Sequence, residues 1–64
     1  MQKWKCYIPG PEINQAKAAA LAVPTNPYFE IVTNKGLTDI VIMSTESYNA
    51  VVAKKIDVFK EGPA

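Results

Sequence analysis

Tyr28-Phe29-Glu30-Ile31-Val32-Thr33-Asn34-Lys35-Gly36-Leu37-Thr38-Asp39-Ile40-Val41-Ile42-Met43-Ser44 is the stretch on which the fold turns. Phe29 and Ile31 alternate with Tyr28 and Glu30, the period of a strand with one buried face. Asp39 to Met43 is almost unbroken apolar sequence, which suits a strand lying centrally in a sheet or covered on both faces. Between them stands Asn34-Lys35-Gly36, where glycine supplies the positive φ of a tight turn. Strands over residues 28–33 and 38–43 are therefore expected to form an antiparallel hairpin.

Towards the C-terminus, Ser44 offers a hydroxyl to cap a helix and Glu46 falls in its first turn, favourably placed against the helix dipole. Tyr48, Val51, Val52, Ile56 and Phe59 follow at helical spacing, with Lys54 and Lys55 off that stripe. This predicts a second helix reaching Phe59, with Gly62-Pro63 closing the chain. Towards the N-terminus, residues 3–8 alternate strictly. Trp4, Cys6 and Ile8 share one face of a strand, and Lys3, Lys5 and Tyr7 share the other. Pro9-Gly10-Pro11 breaks that strand. Residues 12–23 are rich in helix formers, with Ile13, Ala16, Ala20 and Leu21 as the expected buried stripe. Pro24, Asn26 and Pro27 end the helix. The sum is an α+β fold of order β-α-β-β-α, one domain over residues 1–64 with a very short C-terminal tail.

Composition narrows the chemistry. The chain has 64 residues, one cysteine and no histidine, and all seven basic residues are lysines. A lone cysteine forms no internal disulfide, and without histidine a structural zinc site lacks its usual ligands. No metal or cofactor is expected. The absence of histidine also removes the usual general base, so no catalytic residue is assigned and an enzyme is not expected. Cys6, pointing with Trp4 and Ile8, reads as a small buried hydrophobe rather than a reactive thiol. No apolar run approaches the ~18 residues of a membrane span, which leads to the expectation of a cytoplasmic protein that does not engage the membrane. A chain this short buries only ~60% of its unfolded surface, so a homodimer is expected to supply the missing stability.

The run over residues 28–48 resembles the Phd/YefM antitoxins. That family has a strand ending in Ile/Val-Thr, a glycine turn, an apolar strand ending in serine, and a helix with tyrosine four residues after the serine. Val32, Thr33, Gly36, Val41, Ile42, Ser44, Glu46 and Tyr48 fit this pattern, and roughly a third of the chain carries it. The resemblance implies a homodimer that binds operator DNA to repress transcription, neutralises a partner toxin by contact, or both. Lys17, Asn34 and Lys35 would then lie near phosphate, although a solvated turn and helix face account for the same residues. A net charge of +1 and the lack of any Arg suit DNA poorly. The competing expectation is a small inhibitor or adaptor, of the kind a phage encodes, that binds a host protein. It would use the N-terminal strand as an open edge, or the second helix, with Trp4, Tyr7, Tyr48, Lys55 and Phe59 as contact residues.

Overall fold

The computed structural model describes residues 2–64, without the side chain of Lys35. Strand β1 (Lys3–Pro9) leads through one 3-10 turn (Gly10–Glu12) into helix α1 (Ile13–Leu21). Strands β2 (Phe29–Lys35) and β3 (Thr38–Ser44) form the expected hairpin, and helix α2 (Thr45–Ala53) follows directly. The chain then returns to the sheet as β4 (Phe59–Pro63). All strand pairs are antiparallel, and the order across the sheet is β2-β3-β1-β4.

The hairpin turns where glycine permits it, with Gly36 at φ +66°. Its tip is tied down by the Gly10 N–H, which donates to the Leu37 carbonyl at 3.0 Å. The pairing of β2 with β3 carries an extra residue between Ile31 and Thr33, so Val32 has no direct opposite number on β3. The apolar character of β3 is explained by its place inside the sheet, between β2 and β1.

Pleating sorts the side chains as alternation dictates. Cys6 and Ile8 of β1, with Val41 and Met43 of β3, are buried against Ala16, Ala19 and Ala20 of α1 and Val51 of α2. Trp4, Phe29, Tyr48, Ile56 and Val58 pack around that cluster. Both helices thus lie on one face of the sheet. Alanine on α1 lets the helix backbone approach closely.

Four expectations are corrected. The second helix ends at Ala53 rather than continuing to Phe59, because Lys55 adopts the left-handed conformation (φ +61°) that stops a helix. Val52 is consequently 45% exposed, and Phe59 belongs to a fourth strand. Strand β1 is not an edge, since β3 and β4 flank it on either side. On α1, Leu21 is 46% exposed while Ala19 is buried. Eight residues past Ile13 at 3.6 per turn, Leu21 has rotated about 80° beyond it, away from the side that Ala16 and Ala19 occupy.

Candidate interaction surface

The face of the sheet opposite the helices bears Lys3, Lys5 and Tyr7 of β1, Ile40 and Ile42 of β3, Tyr28 and Glu30 at the β2 edge, and Phe59 and Glu61 of β4. Register assembles them into rows. Thr33, Ile40, Tyr7 and Phe59 stand opposite one another across all four strands, and Glu30, Ile42 and Lys5 form the neighbouring row. Tyr7 and Phe59 meet edge to face with ring centroids 6.3 Å apart. Phe59 is 69% exposed, a large apolar surface left in water. Beside it a groove of about 280 Å³ runs between Tyr7, Pro9, Thr38, Asp57, Val58 and Phe59.

Charge on this face is ordered by strand, with lysines on central β1 and glutamates towards the two edges. Lys3 lies 4.1 Å from the ring centroid of Tyr28, whose hydroxyl donates to Glu30. The Tyr7 hydroxyl donates to Glu61 at 2.6 Å, and the Lys5 ammonium is 3.7 Å from the same carboxylate. Donation to a carboxylate stabilises the neutral phenol, so Glu61 and Glu30 hold the ionisation of Tyr7 and Tyr28 above its ordinary range.

On the helix side, Trp4 and Tyr48 converge on a residue that the sequence reading had not singled out. The Lys60 ammonium sits 4.3 Å from the Trp4 ring centroid and 4.8 Å from that of Tyr48. Trp4 is fixed in this pose by its indole N–H, which donates to Thr45 Oγ1. Cys6 lies behind it, fully buried; burial pushes its thiol up to about 11, against the pull of nearby Lys60. A thiol so held stays protonated and is a poor nucleophile near neutral pH.

The residues assigned to contact a partner thus divide. Tyr7 and Phe59 are brought together on the open face, and Trp4 and Tyr48 are brought together on the other side around Lys60. Lys55 stands apart, exposed in the connection between α2 and β4. Among the residues assigned to DNA, Lys17 is exposed on α1, and Asn34 is exposed with its amide donating to Asp39. The side chain of Lys35 lies outside the described residues. Glu61 and Lys60 were missed because the sequence had been read as helical up to Phe59 and as a closing tail after it. Among the described residues, no group of three His, Cys, Asp or Glu is placed to hold a metal ion, and no helix is long and apolar enough to cross a membrane.

Fold and surface together define a small α+β protein with a four-stranded antiparallel sheet, two helices on one face and an open opposite face. Comparison with known proteins finds no matching family model, no similar curated protein and no similar solved structure.

Proposed function

We propose that the chain is a non-catalytic binding protein that pairs with a second copy through the open sheet face and acts on a protein partner by contact, as antitoxins and small inhibitors do. The observation that carries this reading is the exposed Phe59 ring, set against half-buried Tyr7 and backed by buried Ile40, beside an ordered pattern of charge. An apolar strip rimmed by polar groups is the anatomy of an interface rather than of a free surface. Its charges are self-complementary. Under a twofold axis, the central lysines of one copy can face the outer glutamates of the other.

Light-scattering mass across a dilution series tests the pairing. Wild type is expected at twice the 7.0 kDa chain mass at high concentration, and Phe59→Lys at the single-chain mass. Because Phe59 is exposed, that variant should keep its fold, which far-ultraviolet dichroism would verify. Equal masses for the two proteins at every concentration would refute the open face as the interface.

Operator binding is the second reading, and the likeness of residues 28–48 to the Phd/YefM antitoxins supports it. Doubling in a dimer would bring Lys17, Asn34 and Lys35 to two sites on the duplex. A DNA fragment from upstream of the gene should then raise the scattering mass, and added salt should reverse the rise as counterions compete for phosphate. The bond from Asn34 to Asp39 places an acid at the hairpin tip and weighs towards the protein-binding reading.

A further inference from the structure

Strand β4 has the attributes of a ligand more than of a core element. Its residues are exposed apart from half-buried Gly62, so little apolar burial holds it in place. What fixes it is its antiparallel ladder with β1 and a short set of specific contacts along that side of β1. The Lys60 ammonium enters the Trp4–Tyr48 pair, Glu61 takes Tyr7 and Lys5, Phe59 meets Tyr7, and the Ala64 N–H donates to the Lys3 carbonyl at 3.0 Å. An aromatic residue, then lysine, then an acid is therefore the pattern that meets this side of β1.

The connection from α2 to β4 spans residues 54–58 and is strained. Lys55 holds a left-handed backbone (φ +61°), a conformation unfavourable for a residue with a Cβ. The same connection is steadied by the Glu12 carboxylate, which accepts from the Asp57 N–H at 3.1 Å. A strained hinge feeding an edge strand that is held by polar contacts is the arrangement in which two copies trade identical segments.

We propose that the side of β1 that β4 covers, with its Trp4–Tyr48 pair, is a strand-acceptor site, filled by the chain's own β4 in dilute solution and by the β4 of a second copy when the protein is concentrated. Opening the chain at Lys55 releases its strained conformation, while Ile56, Val58 and Lys60 regain the same seats on the neighbouring copy. The tether sets a high effective concentration for the internal arrangement, so exchange belongs to the concentrated regime. The proposal rests on the reading of the chain as self-associating and specifies a route by which two copies join.

The chain holds a single tryptophan, which makes a mixing experiment decisive. One copy carries Lys60→Ala and keeps Trp4. The other carries Trp4→Phe, keeps Lys60 and is silent in tryptophan fluorescence. Alone, the Lys60→Ala copy should show Trp4 emission shifted from wild type by loss of the cation. Adding excess Trp4→Phe copy should return the emission to the wild-type position, with the mass rising to two chains. A two-chain mass with unchanged emission would overturn strand exchange and leave self-association standing. A one-chain mass with unchanged emission at millimolar protein would overturn both. Lys60→Gln, which keeps the side-chain stem and drops the charge, must give the same result as Lys60→Ala, so that an unfolded alanine variant cannot decide the outcome.

Discussion

Ser44 and Ser47 are both fully buried, and each hydroxyl serves two backbone groups. The Ser44 hydroxyl accepts the Ser47 N–H at 3.1 Å as the cap of α2 and donates to the Asn26 carbonyl at 2.6 Å. The Ser47 hydroxyl donates to the Ala20 carbonyl at 2.7 Å and accepts the Tyr28 N–H at 3.0 Å. Between them they join α2 to the end of α1 and to the approach to β2. Ser47→Ala orphans a buried donor and a buried acceptor and should cost about 2–3 kcal/mol in urea unfolding. Ser44→Ala, chiefly the loss of a cap, should cost about 1–2 kcal/mol. The cap could be read from the sequence because Ser44 directly precedes a helical pattern. The role of Ser47 could not, since its partners lie 19 and 27 residues away. Cys6 adds a pH dependence whose sign follows from its raised pKa. The unfolded thiol loses its proton near the ordinary 9.0, whereas the folded one keeps it to about 11. Across that interval the unfolded state binds fewer protons, so stability should fall as pH rises, by at most about 2–3 kcal/mol. Tyr7 and Tyr28, also raised, act in the same sense above pH 10. Unfolding midpoints of Cys6→Ala should therefore be flatter than those of wild type between pH 9 and 10.

At the scale of the element, legibility tracked how local each signal was. The hairpin, the β1 alternation and the start of α2 rest on turn chemistry, period two and a cap, all visible within a few residues. The end of α2 was hidden because a left-handed stop is ordinarily glycine or asparagine, and here it is Lys55. Val52, Ile56 and Phe59 happen to continue the helical spacing past that stop, and β4 was lost with it. Gly62 and Pro63, read as the close of the chain, are instead tolerated within an edge strand, where proline need not donate to a neighbour. The position of β1 inside the sheet depended on that missing strand, which is why the strand nearest the N-terminus was expected at the edge. Lys55→Gly should relieve the left-handed backbone and raise stability by about 1 kcal/mol in urea unfolding. The same substitution removes the strain proposed to favour exchange, so it should also lower the yield of two-chain complexes between the Lys60→Ala and Trp4→Phe copies.

For the molecule as a whole, placing both helices on one side of the sheet leaves the other side uncovered. Tyr7 and Phe59 were chosen from the sequence as contact residues on separate grounds, one on a strand and one on a helix. Only the long-range pairing of β1 with β4 makes them neighbours. The two halves of the candidate surface, open face and acceptor side of β1, share Glu61, which reaches Tyr7 and Lys5 at once. The opposite margin of the sheet has its own logic. Strand β2 reads Phe-Glu-Ile-Val-Thr, with Ile31 and Val32 about half exposed, a composition that in a flat strand templates endless stacking of like upon like. The additional residue at Val32 interrupts the ladder and twists that margin out of true. Deleting Val32 should restore an uninterrupted edge, and thioflavin fluorescence should then rise during incubation of a protein that otherwise stays dark. On this argument a single residue out of register stands between an exposed apolar margin and the growth of fibrils.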